Sequence, residues 1–206
     1  LANDSMEFDN LLDPYDHMES LMKKAYRSNI QTIEKTYGLI DSTVIESVAQ
    51  EIISCRNIYL FGIGSSGIVC EDFQHKLLRI GKTSIYYTDT HLQLTAVPNM
   101  QKDDLAFFVS YSGKTKEIVT AAKWAKRVGI KSVAITQSAY NDLGKLVDMV
   151  ITIPIEEKEL RIGATSSRLS SLVVIDLLYY GVARHDKEET HKSIVDTRKI
   201  IDEIQK

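Results

Sequence analysis

From residue 16 to residue 37 the apolar positions are Met18, Leu21, Met22, Ala25, Ile30, Ile33 and Tyr37. This is the one-sided spacing of an amphipathic helix, and Gly38 is the expected stop. Asp41-Ser42-Thr43 offers capping side chains for a second helix reaching about residue 55. At Asn57 the rhythm changes. Ile58-Tyr59-Leu60-Phe61 reads as a short apolar strand running into Gly62-Ile63-Gly64-Ser65-Ser66-Gly67. A helix follows with Ile68, Val69, Phe73 and Leu77 on its inner face, and Gly81 closes it.

The alternation then repeats. Strands are expected at 83–87, 105–110, 132–136 and 149–153, with short helices at 92–97 and near 142–146. A longer helix at 115–128 is ended by Gly129, with Lys126 and Arg127 in its last turn, where cations suit the dipole. Two helices close the chain. That at 166–183 carries Leu169, Leu172, Val173, Val174, Ile175, Leu177 and Leu178, apolar enough to be deeply buried or part of an oligomer interface, and an amphipathic one runs from 188 to the end.

Short apolar strands alternating with amphipathic helices mean parallel βαβ units in a sheet covered on both faces. The expected fold is α/β, a doubly wound five-stranded parallel sheet of flavodoxin-like order 2-1-3-4-5, flanked by N- and C-terminal helices. The chain divides into a polar lead-in over 1–15 and one domain over 16–206. Within that domain lie a helical lead-in at 16–55, an α/β core at 56–185 and a terminal helix at 187–205. There is no internal repeat.

Composition narrows the function classes. With 206 residues, a single domain is expected. A formal charge of −3 leaves no basic footprint for nucleic acid. No apolar run is long enough to span a bilayer, and the first residues lack a secretory signal, so a cytoplasmic location is expected with no membrane partner. Cys55 and Cys70 sit in apolar surroundings and read as buried free thiols, not metal ligands.

The chemistry concentrates in two loops. The first matches G-x-G-x-x-G through Gly62, Gly64 and Gly67 between a strand and a helix, and Asp89 lies about 20 residues on, where a ribose-binding acid would sit. Alone, this favours a nicotinamide dinucleotide. The pattern is not specific, because any tight turn presenting amides to an anion recruits glycine and serine. The second loop, Ser110-Tyr111-Ser112-Gly113-Lys114-Thr115, has the same strand-turn-helix setting, with hydroxyls and amides suited to a phosphate dianion. In order 2-1-3-4-5, strands 1 and 3 are neighbours and their loops face one another at the topological switch point. A single pocket then receives Ser65 and Ser66 from one side and Ser110, Ser112 and Thr115 from the other. Each of these side chains has a competing role as a simple helix cap. Lys114 and Lys116 are either phosphate partners or solvated first-turn lysines.

The two loops together resemble the signature of SIS (sugar isomerase) domains, found in phosphosugar isomerases and in phosphosugar-sensing regulators. Further stretches are similar to the effector-binding half of RpiR-type transcription regulators: Ile33-Glu34-Lys35-Thr36, His75-Lys76-Leu77-Leu78-Arg79-Ile80-Gly81, Thr88-Asp89-Thr90-His91-Leu92-Gln93, Ala134-Ile135-Thr136 and Ser167-Arg168-Leu169. The resemblance covers roughly residues 25–185. It implies a sensor of a sugar phosphate, acting as a homodimer or homotetramer in carbohydrate regulation. DNA would be reached only through an N-terminal helix-turn-helix domain absent from this chain. It places Ser66, Ser110, Ser112 and Thr115 on the phosphate, with the amides of Gly64, Ser65 and Gly113 behind them, Glu117 beside them, and Ser166 and Ser167 as a further ligand contact. No cofactor and no metal are implied.

Aldose–ketose isomerisation needs a base, usually Glu, and often a His for ring opening. Glu117, Glu71, His75 and His91 are the candidates, but no motif pairs a Glu with a His. The sensor ranks first, a free-standing phosphosugar isomerase second, and a nicotinamide-binding enzyme a distant third.

Overall fold

Apolar strands of four or five residues cannot satisfy their backbones alone, and here they do so by pairing in parallel. The computed structural model describes residues 13–156 and 163–204, so the expected lead-in lies outside the described residues up to position 12. Along the described residues run α1 (Met18–Leu39), α2 (Ser42–Ser54), β1 (Ile58–Phe61), α3 (Ser65–Arg79), β2 (Ser84–Tyr86) and α4 (Thr90–Ala96). A 3₁₀ turn at Val97–Asn99 leads to β3 (Leu105–Val109), α5 (Lys116–Val128), β4 (Lys131–Thr136), β5 (Met149–Thr152), α6 (Thr165–Ala183) and α7 (Lys187–Ile204). The strands form one sheet in the expected order, β2-β1-β3-β4-β5, all parallel.

Each face of the sheet carries its own core. Ile58, Leu60, Phe107, Val133 and Ile151 point to one side and pack against α2, α3 and α6. Phe61, Ala106, Phe108 and Ala134 point to the other, against α4, the 3₁₀ turn and α5. Phe73 of α3 meets Phe107 at 5.2 Å between ring centroids, and Phe61 stacks on Phe108 at 4.8 Å. Helix α6 is the buried one: Val174, Ile175 and Leu178 have no exposed surface.

Two expectations change. Helix α1 runs through Gly38 to Leu39, because glycine in a last turn costs only about 1 kcal/mol. What stops the helix is Ile40 in extended conformation, followed by Asp41, whose carboxylate accepts the Thr43 N–H at 2.8 Å and caps α2. Residues 142–146 form turns and not a helix. The Asn141 side-chain oxygen takes the Gly144 N–H at 2.8 Å, a local bond that competes with helix formation.

The start of the central strand pair is fixed by Asp104, whose carboxylate is fully buried. It accepts from Arg56 Nε at 3.1 Å and Nη2 at 3.0 Å, from Asn57 Nδ2 at 3.0 Å and from the Gln101 N–H at 2.8 Å. Burial alone would raise its pKa, but the bonds from Arg56, Gln101 and Asn57 and the charge of Arg56 outweigh it, so the group sits below its ordinary value. An acid with a depressed folded-state pKa contributes stability that is present above its unfolded pKa of about 4 and lost as pH falls through the lower folded value. Asp104→Asn is expected to cost about 1–3 kcal/mol at pH 7. In urea unfolding followed from pH 7 to pH 2.5, the gap from wild type should close in the acid range.

Candidate functional site

Strands β1 and β3 are paired from Ile58↔Leu105 to Phe61↔Phe108, so the loops after them leave the same edge of the sheet side by side. The chain order reverses here, which is where open α/β sheets form crevices. After β1 the chain turns at Gly64, with φ +60° and ψ −128°, directly before the first turn of α3. That conformation belongs to glycine, since a Cβ would collide with its own backbone. Ser65 and Ser66 open the helix, both half-buried.

The turn after β3 is built differently. The Gly113 N–H closes on the Ser110 carbonyl at 3.1 Å, and Gly113 has φ +63°. Ser110 Oγ and Thr115 Oγ1 lie 3.3 Å apart, and Ser112 Oγ accepts the Lys114 N–H at 3.2 Å. Thr115 is the N-cap residue of α5, yet its side chain makes no cap bond, so its hydroxyl is turned to Ser110 instead. The turn is braced from β4. Tyr111 C=O accepts from Gln137 N–H at 3.0 Å and from Thr136 Oγ1 at 3.1 Å, while Gly113 C=O accepts from Leu143 N–H at 3.0 Å. Asn141 lies beneath Gly113 and donates to Thr136 Oγ1 at 2.6 Å.

Between the two turns lies a cavity of about 160 Å³. Ser65, Ser66, Ser110, Ser112, Thr115 and Ser167 contribute its hydroxyls, and Ile63, Tyr111 and Ala164 are among its other walls. Helices α3, α5 and α6 all begin at this cavity, so three sets of first-turn amides and three positive dipole ends bear on it. Ala164, the N-cap of α6, has φ +53°, a left-handed conformation costing a non-glycine residue about 1–3 kcal/mol. None of the described lining residues carries a carboxylate, ammonium or imidazole. The arrangement suits an anion held by dipoles and hydroxyls.

Of the residues singled out in the sequence, Ser65, Ser66, Ser110, Ser112, Thr115 and Ser167 come together, with Gly64 and Gly113 shaping the turns that carry them. Two others do not join them. Ser166 lines a neighbouring cleft with Thr32, Lys35 and Glu156, and exposed Glu117 faces Phe61 and Gln93 outside the cavity. Glu71, His75, His91, Lys114 and Lys116 are exposed and line no part of it. Asp89, the acid of the dinucleotide pattern, caps α4 by accepting the Leu92 N–H at 2.9 Å. No described group of His, Cys, Asp and Glu residues is placed to hold a metal, and no described helix is long and apolar enough to cross a membrane.

Three polar side chains that the loop motifs do not announce support the site. Gln93, almost fully buried, bonds both the N–H and the C=O of Gly62. Asn141 braces the second turn. Glu156 ties that turn to α1: its N–H donates to Tyr111 Oη at 3.0 Å, and its carboxylate meets Lys35 Nζ at 2.8 Å and the Thr32 hydroxyl. One signal for Gln93 was available, a polar residue set between Leu92 and Leu94 on a short helix that packs on the core.

The SIS domain family profile matches residues 51–180. An uncharacterised HTH-type transcriptional regulator of Bacillus subtilis, YbbH, is 36% identical over 91% of this chain and 67% of its own length. The HTH-type transcriptional regulator RpiR of Escherichia coli K12 is 29% identical over 89% of this chain, which spans 62% of that relative. Among solved structures, NanR of Vibrio vulnificus complexed with ManNAc-6P superposes with a TM-score of 0.85 at 27% identity, covering 95% of this chain and 72% of that one. A phosphoheptose isomerase of Francisella tularensis shares the fold at a TM-score of 0.66 and 19% identity, covering 82% of this chain and all of that one.

Proposed function

The chain belongs to the SIS domain family, and from that premise we propose that it is the phosphosugar-sensing part of an RpiR-type transcription regulator acting in the cytoplasm. The observation that carries this reading is the hydroxyl-lined cavity where α3, α5 and α6 begin. Such a cavity suits a phosphate held by hydrogen bonds and helix dipoles. The solved structure of NanR with ManNAc-6P lends support, since it shares this fold and carries a phosphosugar. DNA recognition is assigned to a helix-turn-helix domain outside this chain.

Signalling follows from the bonds around the second turn. A phosphate drawing Ser110 and Ser112 inward moves Tyr111 between them, and Tyr111 bears on Glu156, which is paired to Thr32 and Lys35 of α1. Helix α1 is joined to the site a second time through Thr36 Oγ1, which donates to Ser170 Oγ of α6 at 2.8 Å. Met18, Met22, Tyr26 and Ile30 recur every fourth residue and are exposed, a stripe that supports self-association as a homodimer or homotetramer through α1.

A second reading, a phosphosugar isomerase, is favoured by the fold shared with the phosphoheptose isomerase. It lacks a base in the cavity: none of its described walls is a Glu or His. Thermal unfolding with hexose 6-phosphates, N-acetylhexosamine 6-phosphates, pentose 5-phosphates, the free sugars and NAD⁺ separates the readings. A ligand at a hundred times its Kd adds about 2.7 kcal/mol, which for a chain of this size raises Tm by roughly 5–11 °C. One class of phosphosugar is expected to do so and its dephosphorylated form is not. Stabilisation by NAD⁺ alone overturns the proposal, and conversion of the stabilising sugar between aldose and ketose, followed by NMR, moves the chain to the enzymes.

A further inference from the structure

The pairing of β1 with β2 ends early. Its register runs from Ile58↔Ser84 to Leu60↔Tyr86, after which the β2 side turns away toward α4. The β1 backbone continues to Gly62, which is buried and has lost its neighbouring strand. A buried peptide group left unpaired there is costly.

The side chain of Gln93 takes the place of the missing strand. Its Oε1 accepts the Gly62 N–H at 3.2 Å, and its Nε2 donates to the Gly62 C=O at 3.0 Å and to the Tyr87 C=O at 2.7 Å. A primary amide carries the same donor and acceptor as a peptide, and only one orientation satisfies two carbonyls and one N–H together. Tyr86 Oη adds a donor to the Gly62 C=O at 3.3 Å. Gln93 is 2% exposed, and the helix that carries it is anchored by the Asp89 cap.

Two residues beyond Gly62 the chain makes its turn at Gly64 and enters α3 at the cavity. The orientation of the Gly62 peptide therefore sets where the amides and hydroxyls of Gly64, Ser65 and Ser66 point. We propose that Gln93 is the positioning residue of the first anion-binding turn, pre-ordering it through the Gly62 peptide before ligand arrives. This rests on the anion-site reading above and adds to it a residue that never touches the ligand. Pre-ordering matters because a turn ordered only on binding would spend ligand affinity on its own immobilisation.

The test uses the full chain and sulfate, which stays a dianion from pH 5 to pH 8, with ¹H–¹⁵N spectra reporting both folding and the Gly64 and Ser65 amides. In Gln93→Met, which keeps the volume and loses the amide, sulfate affinity is expected to fall about tenfold while the spectrum stays dispersed. In Gln93→Glu the carboxylate opposes two carbonyls at pH 7.5, and affinity should fall at least as far. It should recover toward pH 5, as the protonated acid regains one donor and one acceptor. A residue that only fills space would show neither loss in a folded Gln93→Met nor the recovery with pH. Wild-type sulfate binding together with unaltered affinity in folded Gln93→Met overturns the role of Gln93 and leaves the anion site standing. Failure of the wild type to bind sulfate, inorganic phosphate or any phosphosugar overturns both. Should Gln93→Glu not fold, Gln93→Met decides.

Discussion

Gly113→Ala is expected to destabilise the protein by about 2–6 kcal/mol and to remove measurable ligand binding, because two separate penalties fall on one atom. The first is conformational: at φ +63° an L-residue is strained by about 1–3 kcal/mol. The second is steric. A Cβ built there lies 2.2 Å from the side-chain atoms of Asn141, an overlap no rotation of alanine relieves, and overpacking of this kind costs about 1–3 kcal/mol. Gly64→Ala separates the two, since its backbone also has a positive φ that favours glycine, +60°, but nothing lies within 4 Å of its Cβ position. It should therefore show the strain alone, about 1–3 kcal/mol. Adding Asn141→Gly to Gly113→Ala clears the overlap and forfeits the bonds of Asn141 to Thr136 and Gly144, so the double variant should be more stable than the summed losses require. Urea midpoints of the wild type, of Gly113→Ala, Gly64→Ala and Asn141→Gly, and of the double variant decide the matter. A Gly113→Ala protein as stable as Gly64→Ala would mean that Asn141 yields freely, and that the second turn is not held from β4.

How far this architecture is legible in the chain depends on whether the deciding contacts are local. That β3 lies inside the sheet is legible in its run of apolar residues, all buried, whereas the order 2-1-3-4-5 comes from the doubly wound fold type that the alternation of strands and helices suggests. The hydroxyls of the two turns are legible because their setting is local: Ser65, Ser66, Ser110, Ser112 and Thr115 sit close to the glycines that bring them to the cavity. Ser166 and Ser167 show where this stops. One residue on a helix is a rotation of about 100°, and the start of α6 is set by left-handed backbone that continues from Gly163 into Ala164, where the residue type does not announce it. Thus Ser167 meets the cavity and Ser166 the neighbouring cleft. Glu117 follows the same rule, carried off the cavity by the phase of α5. Gln93, Asn141 and Glu156 are harder still. Their partners Gly62, Thr136 and Thr32 are brought to them by the fold, over 31 positions for Gln93 and 124 for Glu156, while Asn141 lies five residues from Thr136 across a turn. Their residue types alone are those of ordinary surface positions.

One anion shared by two turns has a sharper consequence than the loss of any single contact. Ser66→Ala and Ser112→Ala each remove one hydroxyl from opposite walls of the cavity. A hydrogen bond to a charged group contributes about 1–3 kcal/mol, so each variant should weaken phosphosugar binding by roughly 5- to 150-fold. With one shared phosphate, loss of either hydroxyl lets the dianion shift toward the remaining wall, and the second substitution then acts on an altered site. The double variant should depart from additivity by about 0.5–3 kcal/mol, measured as Kd by isothermal titration. Two anions bound at separate turns would instead give losses that add to within about 0.5 kcal/mol. The α6 serines supply the control within the same experiment. Ser167→Ala should weaken binding like its partners across the cavity, and Ser166→Ala, facing Thr32 and Glu156, should leave Kd unchanged. A reversal of that pair would mean that α6 enters the site one residue out of the phase seen here, and the cavity walls would have to be redrawn around the cleft beside α1.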